Sequence, residues 1–221
     1  MSEPVVQKIT TNACNESINL LQFLCEIEKL KHLDRKGFKD RDVNKPETVA
    51  GHMYRMAVMA MLYQSDSPDE VIDRNRLLRM TIIHDMAECL VGDITPYDGI
   101  PVEEKHRREY EAMDYLVSLL PSKSSKEFKD LFDEYEKQES REAIIVKEFD
   151  RFDVMLQGYQ YERSEYETKG RIIRFQEFFD NANGKIFTKQ LLQMIDELNK
   201  TRDEFWSKVN ANTNNETNNC I

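Results

Sequence analysis

An all-α fold in a single domain is the class this sequence predicts, and three observations predict it. Seven glycines and six prolines in 221 residues are too few turn-forming residues for an all-β chain. Apolar residues recur at helical spacing through long segments. A chain of this length can also bury one sizeable core without dividing.

The first periodic segment runs from about Asn15 to Leu33, where Leu20, Phe23, Leu24, Ile27, Leu30 and Leu33 form one apolar stripe. It reads as a core helix. After the polar connection HLDRKGFKDRDVNK, Pro46 suits the first position of a second helix, PETVAGHMYRMAVMAMLYQ, because a missing N–H costs nothing there. SDSPDEVIDRN is a loop, and a third helix from about Arg74 to Leu90 is apolar on nearly all sides and ends at Gly92. GDITPYDGIP is an ordered loop.

VEEKHRREYEAMDYLVSLL is a fourth helix ended by Pro121, and SSKEFKDLFDEYEKQ a short, mostly polar fifth. The sixth spans about Arg141 to Tyr161, with Ser140 as N-cap and Ile145, Phe149, Phe152, Leu156 and Tyr159 on one stripe. Two further amphipathic segments, near Ile172–Phe179 and Thr188–Val209, flank a NANG turn. Residues 1–14 read as an N-terminal segment, 15–209 as the domain, and the Asn-rich 210–221 as a disordered tail.

Charge and cysteine usage narrow the function. With a net charge of -10 and no lysine–arginine run, a nucleic-acid polymer is excluded as partner, while an anionic small molecule is admissible where charge is compensated locally, for example by a metal. Cys14, Cys25, Cys89 and Cys220 form no CxxC pair, as expected of reduced thiols in a cytoplasmic or nuclear protein. No segment reads as a signal peptide or a membrane span.

The chemistry concentrates in IIHDMAECLVGDITP, which places His84, Asp85, Glu88 and Asp93 within and just past an apolar helix. Imidazole nitrogens and carboxylate oxygens are ligands that first-row divalent metals accept, and a cation removes the cost of burying the carboxylates. His52 on the preceding helix can approach the same point, since short connections make consecutive helices neighbours. A fourth ligand is open between Asp150 and Asp153 in KEFDRFDVML, and helical rotation from Ile145 leans weakly to Asp153. A His–Asp pair alone is more often a hydrogen-bonded core feature; His52, the i+4 Glu88 and Asp93 together favour a metal site. Lys105, Arg107 and Arg108 read as a solvated face, and His106 has no metal role.

These residues resemble the HD-domain metal-dependent phosphohydrolase superfamily. The blocks KPETVAGHMYRMAVMAML, IIHDMAECLVGDITP, KHRREYEAM and VKEFDRFDVMLQGYQYE are similar to the eukaryotic HD domain-containing protein 2 type of 5'-deoxynucleotidase, over about Leu20 to Tyr166. The resemblance implies a helical HD-domain bundle with its ligand-bearing core at about 46–162, and it selects Asp150. It further implies a first metal (Mn, Co or Mg) held by His52, His84, Asp85 and Asp150. Glu88, Asp93 and the Ile94 backbone match a second cation site, with Glu88 and Asp93 also in catalytic roles. Arg35 would hold the phosphate and Phe38 the base side, where the family has tryptophan. Ala50 and Gly51 depart from the family's small polar and acidic residues.

The implied activity is metal-dependent hydrolysis of deoxynucleoside 5'-monophosphates by a homodimer. Another nucleotide substrate, or a non-catalytic helical interaction protein, are the alternatives. Base preference, strictness toward deoxyribose and the metal used in the cell are not written in the sequence, because the same ligands accept several metals.

Overall fold

The computed structural model describes residues 5–65, 67 and 69–218, and side chains between 15 and 211. Among the described residues the fold is all-helical. The helices are α1 (Val5–Glu28), α2 (Lys36–Lys39), α3 (Val49–Leu62), α4 (Arg74–Ile83), α5 (Glu88–Val91), α6 (Val102–Ser118), α7 (Ser122–Lys137), α8 (Arg141–Lys169), α9 (Gln176–Ala182) and α10 (Lys189–Asn218). A 3-10 turn at Lys29–Lys31 continues α1, and an isolated antiparallel bridge joins Asp34 to Thr48.

The chain divides into two compact units: Met1–Met61 with Asp73–Val146, and Leu62–Ile72 with Lys147–Ile221. In the first unit α5 packs on α1 and α6, and α7 packs on α4 and α6. The buried faces of α6 and α7 follow helical spacing: Ala112, Met113, Leu116 and Val117 on one, Leu131, Phe132 and Tyr135 on the other. α7 therefore does more than its polar composition suggests. Conversely, α1 buries Phe23, yet Leu20 and Leu24 of its expected core stripe are exposed at 36% and 56%.

Local chemistry explains the helix starts. Thr48, not Pro46, caps α3: its Oγ1 accepts from the Gly51 N–H at 3.2 Å, so the helix begins at Val49. Asp73 caps α4 by accepting from the Asn75 and Arg76 amides. Ser140 caps α8 as expected, accepting from the Ala143 N–H at 3.1 Å.

In the second unit a buried polar network organises the end of the chain. Both Glu162 oxygens accept from the Arg202 guanidinium, at 2.7 and 2.8 Å, and from Trp206 Nε1 and the Phe175 amide. Glu148 likewise accepts from the Phe187 and Thr188 amides. Where the sequence suggests a tail from 210, α10 continues to Asn218; the expectation for 219–221 lies outside the described residues.

Candidate metal centre

The segment expected to be one helix is two. Between α4 and α5, residues 84–87 form a turn in which the amides of Met86 and Glu88 reach back three residues, to Ile83 and Asp85, instead of four. His84 itself keeps the four-residue bond to Met80, and the tightening follows it; such mid-helix 3-10 geometry often marks a functional position. Gly92 then ends α5 with a φ of 81°, a left-handed value that suits a residue lacking Cβ.

His52 is fully buried on α3, and His84 is buried beside it, their rings edge to face with centroids 5.6 Å apart. Asp85 Oδ2 stands 3.2 Å from His84 Nε2 and 3.7 Å from His52 Nε2. One ligand atom from each of the three residues lies within 4.8 Å of the others. His84 Nδ1 sits 3.0 Å from the Thr81 carbonyl, which can only accept, so Nδ1 carries the proton and the Nε2 lone pair faces the cluster. His84 Nε2 is buried and makes no hydrogen bond. The Tyr135 ring packs against the same imidazole, with centroids 5.1 Å apart. A lone pair held this way beside a second imidazole and a carboxylate fits a divalent cation better than it fits a satisfied core.

Carboxylates and one guanidinium surround this cluster. Glu88 is 4% exposed, and burial, with Asp85 and Asp93 nearby, pushes its carboxyl well above the ordinary range, while Arg35 and Lys105 pull the other way. Arg35 donates to Asp85 Oδ2 at 3.2 Å and lies 3.9 Å from Asp93 Oδ1. It is brought there by backbone pairing: its own N–H donates to the Glu47 carbonyl, and the Val49 N–H donates to the Leu33 carbonyl. The Lys36 N–H donates to Asp93 Oδ2 at 2.7 Å, and Lys36 Nζ pairs with Asp98 at 2.6 Å, so the loop after α5 is tied to the start of α2.

The remaining expected residues fall as follows. Ile94 is buried next to Asp93. Phe38 is only 2% exposed, so its ring is a core element and offers no open face for stacking on a base. Gly51 is on the exposed start of α3, where a Cβ would meet only Thr48 Oγ1, at 3.5 Å; the departure from the family at this position lies outside the buried cluster. Asp150 and Asp153 belong to the second unit. There Asp150 pairs with Lys147 at 2.9 Å, and Asp153 is fully buried. Burial pushes the Cys89 thiol, next to Glu88, up to about 11. Sequence reading missed Tyr135 and Glu109, the latter 7% exposed and 3.4 Å from Lys105.

A helical fold that converges two histidines and an aspartate on one point defines a metal-binding helical domain of the HD class. The HD domain family matches residues 27–213, across both units, and the chain belongs to that family. Within it the chain is 45% identical to the 5'-deoxynucleotidase HDDC2 of Bos taurus over 185 residues, 84% of this chain and 86% of that one. It is also 45% identical to the Homo sapiens 5'-deoxynucleotidase HDDC2 over 184 residues, 83% and 86% of the two chains. Among solved structures, a predicted metal-dependent phosphohydrolase from Magnetospirillum magnetotacticum aligns with a TM-score of 0.65 at 27% identity, covering 86% of this chain and 96% of that one.

No described helix is long and apolar enough to cross a membrane.

Proposed function

We propose that this protein is a metal-dependent 5'-deoxynucleotidase that hydrolyses 2'-deoxynucleoside 5'-monophosphates to deoxynucleoside and phosphate. The observation that carries this reading is the convergence of His52, His84 and Asp85, in a chain 45% identical to 5'-deoxynucleotidases over most of its length. Those three residues, completed by Asp150 on family resemblance, hold a divalent cation, taken as Mn, Co or Mg. A bound divalent cation supplies Lewis acidity toward a phosphoryl oxygen and toward water.

The protein's own groups do the rest. Arg35 binds the phosphate, for which a planar guanidinium is suited. Glu88, whose buried carboxyl holds protons more tightly than an ordinary glutamate, takes the proton from the attacking water. Asp93, whose Oδ2 accepts from the Lys36 amide, is assigned to help the leaving 5'-oxygen or, with Glu88 and the Ile94 carbonyl, to hold a second cation. The resemblance also supports a homodimer, and the cysteine pattern a cytoplasmic or nuclear location.

The test is phosphate release by full-length protein, stripped of metal and reloaded with Mn, Co or Mg, from dAMP, AMP, dATP and cyclic AMP. Release from dAMP alone is expected, and His84→Ala with Asp85→Ala abolishes it. Equal release from AMP removes the deoxy preference, release chiefly from dATP or cyclic AMP moves the enzyme to another substrate, and no release in any metal overturns the reading.

A further inference from the structure

His84 closes α4 as its C-cap residue, and its imidazole has a polar anchor in the Thr81 carbonyl, three residues back on the same helix. That bond settles which nitrogen carries the proton. It does not settle the plane of the ring, which can pivot about the Nδ1 contact while the bond is kept. A metal-ligand lone pair has to be aimed as well as free, so the ring needs a second restraint.

Two rings flank the imidazole. His52, with its centroid 5.6 Å away, belongs to the same cluster, so its own orientation depends on the cation it would share. Tyr135 stands outside the cluster and comes from α7, which gives the cluster no residue. Its ring is 4% exposed and 5.1 Å from that of His84, edge to face at an interplanar angle of 65°. A leucine could fill the same space, but only a planar ring gives the imidazole an edge-to-face partner.

The end of α7 is itself fixed. Gln138 caps the helix with a φ of 54°, a left-handed value usually left to glycine. Its N–H donates to the Glu134 carbonyl at 3.2 Å, and its side-chain amide donates to the Tyr135 carbonyl, a bond glycine has no atoms to make. Glu134 accepts from Arg76 Nε at 3.1 Å and from Arg76 Nη2, and from the Ser140 hydroxyl at 2.6 Å. Adjacent residues of α7 thereby reach the first turn of α4 through Arg76 and its C-cap through Tyr135.

We propose that Tyr135 is a positioning residue of the metal centre: its ring fixes the plane of the His84 imidazole, so that α7 sets the affinity of the cluster for a divalent cation without supplying a ligand. The assignment rests on the reading of His52, His84 and Asp85 as metal ligands.

The test uses full-length protein and two readouts. One is the affinity of metal-stripped protein for Mn by calorimetry. The other is the long-range nitrogen–proton NMR correlation of the His84 ring in the metal-free state, identified by its loss in His84→Ala. Tyr135→Leu is expected to weaken Mn binding by about ten- to a hundredfold and to broaden or split the His84 signals. Tyr135→Phe, which keeps the ring, retains the affinity and the single set of signals. Phe132→Leu removes an equally buried ring of α7, one that packs on Tyr110 at 5.3 Å; it lowers the melting temperature and leaves both readouts unchanged. Circular dichroism confirms that each variant is folded; should Tyr135→Leu fail to fold, Tyr135→Met takes its place.

Wild-type Mn affinity or wild-type His84 signals in a folded Tyr135→Leu protein overturn the proposal. So does a Tyr135→Phe protein as impaired as Tyr135→Leu, or a Phe132→Leu protein that loses Mn equally. If the wild type binds no Mn, the metal reading fails by itself. The metal-free spectra then decide Tyr135, a change in Tyr135→Leu supporting its hold on His84 and equality overturning it.

Discussion

At the scale of single residues, the candidate centre was legible where chemistry contradicted pattern. A histidine pair and a carboxylate inside apolar helices call for a partner, and His52, His84 and Asp85 do meet. Glu109 was not legible, because KxxxE on a helix is the signature of a solvated pair. Only packing shows that this one is buried. The burial of Phe38 was hidden for the converse reason: a short polar segment does not disclose that its one aromatic is buried. Glu109 yields a prediction. Burial, countered by Lys105 and reinforced by Glu136 and Asp85, pushes its carboxyl up to about 7 in the folded protein. The folded state thus binds this proton more tightly than the unfolded chain. The resulting stability is complete below the unfolded value near 4.5 and is lost as pH rises toward 7, by an amount of about 3 kcal/mol. Urea unfolding of the metal-stripped protein between these limits is expected to show that slope, and Glu109→Gln to flatten it.

At the scale of elements, helix existence followed from periodicity, and the cap at Ser140 from residue chemistry. The break at 84–87 did not, since IIHDMAECLV carries no proline or glycine and only backbone hydrogen bonds reveal the tightened turn. The join of α8 to α10 in the second unit was equally hidden, because Glu162 and Arg202 lie forty residues apart. That join predicts a large loss. Glu162→Ala strips a buried guanidinium of its carboxylate and two further donors of their acceptor, and is expected to cost about 3–5 kcal/mol. Trp206 is the sole tryptophan and donates to Glu162, so its fluorescence in a denaturant titration reads the effect directly.

At the scale of the whole molecule, the expected helical class holds, and the chain falls into two compact units that one HD domain spans. The reason the division is silent in the sequence lies in α8, a 29-residue helix that passes from one unit to the other between Val146 and Lys147 without a linker, proline or glycine. The other crossing, between Met61 and Leu62, is also helical. Asp150 lies four residues past Val146, and since helical rotation from Ile145 leans weakly to Asp153, the family pattern was needed to choose it. Metal enters here as a stabilising ligand. Because it binds only the folded chain, cation at a hundred times its dissociation constant adds about 2.7 kcal/mol. Differential scanning calorimetry is expected to show the melting temperature falling on chelation and returning on reloading, and no response in His84→Ala.

The contact of Arg35 with Asp85 also bears on the order in which ligands are felt. A guanidinium that neutralises Asp85 competes with any cation for that carboxylate and is withheld from an anion at the same time. If Arg35 binds phosphate as proposed, a cation that takes Asp85 would release it to the incoming anion. The two ligands are then thermodynamically linked: whatever factor the cation adds to phosphate affinity, phosphate must return to the cation. An empty centre of this design holds itself closed to both, and filling either half opens the other.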